Sequence, residues 1–308
     1  MADKISRRDF LRKAGIAGIT TAGLALGGGG LFGLGEEEAE ASGATMAIAH
    51  GGSPEELLKR AIDGVGGIHK FVHSGNRVVI KPNLGWARTP SQAANTNPGI
   101  LLELIRLCKS AGAGRITVVD HTCDDSSVAF NMNGARTVCS STGVRLIAGN
   151  SQGMYGHVDI PKGKILKYDE CLKEVLEADV FINVPIAKVH ASSAKITAGM
   201  KNLMGTVWDR GRWHGSSDLD QCIADYSSAV RPKLIILDAI RCLMTNGPKG
   251  PGRYKDAGQV IASTDPVAID AYAAKLLEHD PKTIKHVVYA AEMHLGQMDL
   301  SRVNMKRV

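Results

Sequence analysis

The residues best suited to chemistry lie between Asp179 and His214. An apolar run, Asp179-Val180-Phe181-Ile182-Asn183-Val184-Pro185, leads into Lys188 and His190. The segment Thr197-Ala198-Gly199-Met200-Lys201-Asn202-Leu203-Met204-Gly205 follows, then Trp208, Arg210, Arg212 and His214. A lysine on a glycine-bounded turn can hold a phosphate or a carboxylate, and once desolvated it can act as a nucleophile. It can also be an ordinary solvated lysine. Lys201 is therefore the sharpest catalytic candidate, with Gly199 and Asn202 beside it as cofactor-binding candidates. His121, His190 and His214 carry imidazoles able to move protons at neutral pH or to ligate a metal. The spacing of the three is not a local metal motif.

A second set of polar residues falls at the ends of apolar runs. Lys81 and Asn83 follow Arg77-Val78-Val79-Ile80, and Asp120 with His121 ends Arg115-Ile116-Thr117-Val118-Val119. Runs this short and this rich in β-branched residues read as strands buried on both faces. In an open parallel sheet the carboxyl ends of the strands share one edge, where ligands bind. Lys81, Asn83 and Lys188 are therefore expected to bind a cofactor or anion. Asp120, His121, His190 and Lys201 are expected to do the chemistry. Asp225 and Asp238 read as structural.

The elements that must position these groups follow from caps and periodicity. Ser53-Pro54-Glu55-Glu56 starts a helix running to about Gly64, and Asn97-Pro98 starts another that stops at Gly112. The unit from residue 77 to 121 is thus a strand, helix and parallel strand. A helix over 135–141 and a strand over 144–148 follow. Residues 163–168 are expected as an edge strand, 168–176 as a helix and 179–184 as a strand that Pro185 ends. Helices are expected over 218–227, 267–277 and 282–293, and strands over 232–238 and 259–262. The stretch Asn246-Gly247-Pro248-Lys249-Gly250-Pro251-Gly252 reads as a loop whose N–H groups could cradle an anion. The fold class is α/β, a mostly parallel open sheet with helices on both faces. Residues 42–308 are expected to form a single domain.

Residues 1–41 form a separate unit. Ser6-Arg7-Arg8-Asp9-Phe10-Leu11-Arg12-Lys13 is a twin-arginine motif, a Gly/Ala-rich apolar run follows, and Ala39-Glu40-Ala41 fits a cleavage site. So many glycines make the run a weak spanning helix, so a cleaved signal rather than an anchor is expected. The expected partner during export is the twin-arginine translocase, and the destination is the periplasm or the exterior of the cell envelope. The net charge is +6, with lysines and arginines scattered and no basic run interleaved with aromatics. That argues against nucleic acid and for a small anionic ligand or substrate. None of the six cysteines forms a C-x-x-C pair, so no iron–sulfur cluster or zinc ribbon is encoded locally. They read as buried free thiols or as one or two disulfides.

The stretches VVIKPNL (78–84), AGAGRITVVDH (111–121), ADVFINVPIAKVH (178–190), TAGMKNLMG (197–205), IADY (223–226), LDAI with NGPKGPG (237–252) and ASTDPVAIDA (262–271) resemble the domain-of-unknown-function 362 family. Many of its members carry a ferredoxin module with cysteine clusters; this chain has none. The order of strands, histidines and Gly-x-Lys also resembles, more weakly, the lactate-racemase family. That resemblance implies a lysine tethering a nickel-pincer nucleotide (Lys201), an acid–base histidine pair (His121 and His190) and a nickel-ligating histidine (His214). The chain lacks the glycine-rich run and the extra C-terminal domain of that family. The functional expectation is an exported enzyme dependent on a metal or metal-containing cofactor, with redox or isomerase chemistry on a small anion. The alternative is a binding or accessory protein that catalyses nothing.

Overall fold

A computed structural model describes residues 45–308. The proposed signal at 1–41 lies outside the described residues. In chain order the elements are β1 (Thr45–His50), α1 (Pro54–Gly64), β2 (Arg77–Pro82), α2 (Pro98–Ser110), β3 (Arg115–Asp120), α3 (Ser126–Met132), α4 (Ala135–Thr142) and β4 (Arg145–Ala148). Then come β5 (Tyr155–Asp159), β6 (Tyr168–Leu172), α5 (Lys173–Leu176), β7 (Val180–Val184), β8 (Ile186–Val189), β9 (Ile196–Thr197), α6 (Gly199–Asn202) and α7 (Arg210–His214). The last elements are α8 (Leu219–Ala229), β10 (Leu234–Leu243), β11 (Tyr254–Ser263), α9 (Pro266–Leu276), α10 (Lys285–Glu292) and β12 (Asn304–Arg307).

The main sheet runs β12-β1-β11-β10-β7-β2-β3-β4. Its inner pairs, β10 with β7, β7 with β2, β2 with β3 and β3 with β4, are parallel; β11 is antiparallel to both β10 and β1. The fold is therefore α/β with a mostly parallel sheet. Alternate residues of one strand feed opposite cores. Ile236 packs with Leu57 of α1 and Ile100 of α2, whereas Ile235 and Leu237 pack with Ile223 of α8, Val267 of α9 and Val287 of α10. Helices thus cover both faces, and so β10 reads as a continuous apolar run rather than an alternating one.

The helix starts obey their local chemistry. Ser53 and Glu56 form a reciprocal capping box ahead of α1, and Asn97 and Asp265 cap α2 and α9, each with proline in the first turn.

Three expected elements differ. Residues 163–167 form a loop, because the Asp225 carboxylate takes the amides of Lys164, Ile165 and Leu166, at 2.9, 2.7 and 2.9 Å, that an edge strand would offer to a neighbour. Tyr168–Leu172 is a strand, not a helix, because it pairs antiparallel with β5, from Tyr155↔Leu172 to Asp159↔Tyr168. Pro185 interrupts the strand without ending it. Proline cannot donate, but its carbonyl accepts the Asp238 amide at 2.9 Å, and the chain resumes as β8 beside β10. Lys188 is therefore a strand residue rather than a loop cation. The 197–205 segment is one turn of helix, α6, running into a 3₁₀ turn at Leu203–Thr206.

Candidate functional site

The ends of β2 and β3, strand β8, and helices α6 and α7 surround a cavity of ≈ 290 Å³. That is small-molecule size, far below what a macromolecular partner would occupy. Lys81, Asn83, Asp120, His121, Lys188, His190, Lys201, Asn202 and His214 all line it, drawn together from sequence positions up to 133 residues apart. Gly199 does not. Its amide donates to Asp270 at 2.6 Å and its carbonyl accepts from Asn183 Nδ2 at 2.8 Å, on the far side of its own turn. It anchors the turn from behind and does not face the cavity, contrary to the expectation that it binds a cofactor.

Lys81 sits at the last turn-in of β2. Its Nζ lies 2.8 Å from Asp120 Oδ1 and donates to the Pro82 carbonyl at 2.7 Å and Asn202 Oδ1 at 3.1 Å. Those three partners use all its hydrogens. Burial pulls its pKa down and Asp120 pulls the other way. The second Asp120 oxygen accepts the Leu84 amide at 2.6 Å. A side chain on Gly205 would meet this pair, since its first carbon would fall 2.0 Å from Asp120 Oδ1 and 2.6 Å from Lys81 Nζ. Only glycine lets the α6 segment lie against the ion pair, and the backbone confirms the approach: His121 N–H donates to the Gly205 carbonyl at 2.9 Å.

Asn202 cross-ties the strands. Its Oδ1 accepts from Lys81 and from Asn83 Nδ2 at 2.9 Å, while its Nδ2 donates to Asn183 Oδ1 at 2.8 Å. The second Nδ2 hydrogen goes to the Lys81 carbonyl at 3.3 Å, so Asn202 positions other groups and has no hydrogen left for a ligand. Lys188 Nζ donates to Asn83 Oδ1 at 3.2 Å and to the Ala94 carbonyl, under the Trp86 ring. Burial pulls Lys188 down to about 7.

Lys201 is only 6% exposed, yet the polar atom its Nζ meets is the Met204 sulfur at 3.1 Å, a poor acceptor. Burial pulls its pKa down to about 8. The turn that carries it is fixed from behind: Asp270, fully buried on α9, accepts the amides of Gly199 and Met200 at 2.6 and 3.0 Å. Among the described residues no carboxylate pairs with Lys201 or Lys188.

The backbone gives two of the histidines opposite tautomers. His121 Nδ1 lies 2.9 Å from the Val207 carbonyl, which can only accept, so Nδ1 carries the hydrogen and Nε2 a lone pair. The ring stacks on Trp208, 5.6 Å between centroids and 9° between planes. His190 Nδ1 instead accepts the Ser192 amide at 3.0 Å, which places the hydrogen of the neutral ring on Nε2. Burial, then Lys201, Lys188 and His214, hold the His190 pKa at about 3. His214, exposed at the end of α7, is lowered by partial burial and then by Lys201 and Arg210.

Two further wall residues, Arg210 and Cys123, have no role assigned from the sequence. Arg210 is held by the carbonyls of His121 and Thr122, at 2.9 and 3.0 Å, and its Nη1 lies 3.3 Å from Cys123 Sγ. Cys123 is exposed; the other five cysteines are buried, and all six are free. The position of Cys123, three residues beyond the strand-end Asp120, was the available signal. Of the 246–252 loop, Pro248 reaches the cavity, and Lys249 Nζ lies 5.5 Å from the Trp86 ring centre.

The profile of the family described as Domain of unknown function (DUF362) matches residues 78–275, which include every residue of this wall. The chain belongs to the DUF362 family. A thylakoid-associated protein of Synechocystis is 31% identical over 254 residues, 80% of this chain and 76% of that relative. The lactate racemase apoprotein of Thermoanaerobacterium thermosaccharolyticum is a distant structural likeness. It has a TM-score of 0.42, 15% identity and coverage of 62% of this chain, which spans half of that protein's length. That distance transfers no residue roles to this DUF362 chain.

Proposed function

We propose that this cavity binds a small anion and moves a proton on it, with His121 as base and the neutral His190 ring as hydrogen-bond donor to the developing charge. The imbalance of charge carries the reading. Four cations, Lys81, Lys188, Lys201 and Arg210, face the cavity against one carboxylate, Asp120, already taken by Lys81. Buried charge without a counter-ion is costly, so a site built this way favours an anion that supplies one. The histidine tautomers support the second half. A lone pair on His121 Nε2 can take a proton, and the Nε2–H of the neutral His190 ring can hydrogen-bond to negative charge that develops on the substrate. The low pKa of His190 keeps that hydrogen-bearing ring neutral across the physiological range.

A bare metal ion fits poorly. Among the described residues no three His, Cys, Asp or Glu side chains come together as a ligand set, and the ammonium groups would repel a cation. A metal would suit the cavity inside an anionic cofactor that brings its own ligands, with His214 as a single protein donor. Lys201, with its pKa near 8, has enough free amine at neutral pH to react with or tether such a group. Export by the twin-arginine route, which carries folded proteins, accords with loading before transport.

The test is proton exchange. Small carboxylates and phosphates with an acidic C–H are incubated with the protein in heavy water, and deuterium uptake is followed by NMR. Exchange that disappears in His121→Gln and His190→Phe supports the reading. Tight anion binding with no exchange on any compound favours the binding-protein alternative.

A further inference from the structure

We propose that Cys123 is a covalent site of this cavity, a thiol placed to react with small electrophiles that carry negative charge. The inference rests on the anion reading above and adds a nucleophile to it. Three observations lead there. Cys123 is the exposed cysteine of the described residues, whereas Cys108, Cys139, Cys171, Cys222 and Cys242 are buried. Its Sγ is 3.3 Å from Nη1 of the Arg210 guanidinium, which the His121 and Thr122 carbonyls hold in place at 2.9 and 3.0 Å, so the cation is positioned against the sulfur. Independently of the thiol, Lys201 presents to the same cavity a buried ammonium with only a thioether beside it.

The pieces act in sequence. The Arg210 guanidinium donates to the sulfur at 3.3 Å and so fixes where Cys123 Sγ points within the cavity wall. The lysines attract the anionic part of an incoming molecule and leave its uncharged electrophilic carbon for the sulfur. Gly85 keeps the approach open, since even a methyl group there would sit 3.6 Å from the sulfur. In the step itself the thiol proton goes to solvent, the S–C bond forms, and the bond from that carbon to its leaving group breaks, the leaving group keeping the electron pair. No oxidant or reductant is required. The native class is a small carboxylate or phosphate bearing such a carbon.

Iodoacetate and iodoacetamide test this directly, because they deliver the same carbon with and without a negative charge. Labelling of the full chain is followed by peptide mass spectrometry, with Cys123→Ser to assign the adduct and a cysteine-containing peptide as reference. Charged clefts raise encounter rates by about tenfold or more. The iodoacetate-to-iodoacetamide rate ratio at Cys123 should therefore exceed that of the peptide by at least about tenfold. The excess should fall with added salt and in Lys201→Met; the salt titration needs no variant to fold. A ratio equal to that of the peptide overturns the proposal by removing the anion preference. A Cys123 inert to both reagents, in protein that still binds phosphate, overturns it while leaving the anion site standing.

Discussion

Lys81 Nζ lies 2.8 Å from Asp120 Oδ1, and the two side chains are 2% and 3% exposed. One comes from the end of β2 and the other from the end of β3, so the pair pins the floor of the cavity where two parallel strands finish side by side. Removing one partner of a buried ion pair typically costs about 3–5 kcal/mol, because the other charge stays buried. Lys81→Met and Asp120→Leu should each destabilise by that order in chemical denaturation, and the double variant should recover much of the loss. Additive losses would mean that the pair is not a unit.

Gly205→Ala should be nearly as damaging. The added carbon has no room beside Asp120 and Lys81. Gly211→Ala, which meets an Asp209 oxygen at 3.2 Å on an exposed helix, is the control. Equal melting temperatures for the two variants would contradict the close approach.

Lys201 makes the opposite prediction for stability. Its folded pKa is about 8 and its ordinary value 10.5. Below pH 8 the folded protein carries a buried ammonium that the unfolded chain would rather solvate. This penalty is fully present below about pH 8 and fades as pH rises toward 10.5, where both states are neutral. The gap corresponds to roughly 3 kcal/mol. Lys201→Met should therefore stabilise the ligand-free protein at pH 7, by up to about that amount, with the gain shrinking between pH 8 and 10.5. A solvated lysine would give less than about 0.5 kcal/mol at any pH, as Lys173→Ala should. Denaturant titrations from pH 6.5 to 9.5 distinguish the two.

The histidine tautomers are directly visible. Long-range ¹H–¹⁵N correlation spectra of the imidazoles should show His121 with its hydrogen on Nδ1 and His190 with its hydrogen on Nε2. With a pKa near 3, His190 should not titrate between pH 5 and 8. The same tautomer in both rings, or a His190 that titrates near its ordinary 6.5, would remove the assignment of base and hydrogen-bond donor.

Export is tested at Arg7 and Arg8. Changing both to lysine keeps the charge but removes the planar, delocalised guanidinium groups. The double variant should fold normally and remain in the cytoplasm. Unchanged accumulation outside it would refute the twin-arginine reading.

The parallel half of the fold was legible because its strands are short β-branched runs separated by well-capped helices. Lys81, Asp120, His121 and His190 could be placed at one edge because each lies at or just past such a run. Where a long-range contact overrides the local pattern, the sequence misleads. Nothing near residues 164–166 announces that Asp225 will take their amides, and Tyr168–Leu172 becomes a strand only because Tyr155–Asp159 is its partner. Pro185 reads as a stop, although its carbonyl continues the ladder. Gly199 was misjudged for a related reason. Glycine signals a close approach without saying to what, and here the approach is to Asp270 behind the turn. Arg210 and Cys123 form a contact between elements 87 residues apart, which no local spacing reveals.

The most direct test of the anion cavity is equilibrium binding of phosphate, sulfate, acetate and oxalate by calorimetry, at pH 6.5 and pH 9.5. The proteins compared are the natural chain, Lys201→Met and Lys173→Ala. An anion needs charged lysines, and Lys188 and Lys201 lose their protons near pH 7 and 8. At least one of these anions should bind at pH 6.5 and weaken by about tenfold or more at pH 9.5. Losing a charge-assisted contact costs roughly 1.5–3 kcal/mol, so Lys201→Met should weaken binding at pH 6.5 by about tenfold to more than a hundredfold, with Lys173→Ala unchanged. Binding that is indifferent to pH, or the same in Lys201→Met as in Lys173→Ala, would contradict the account.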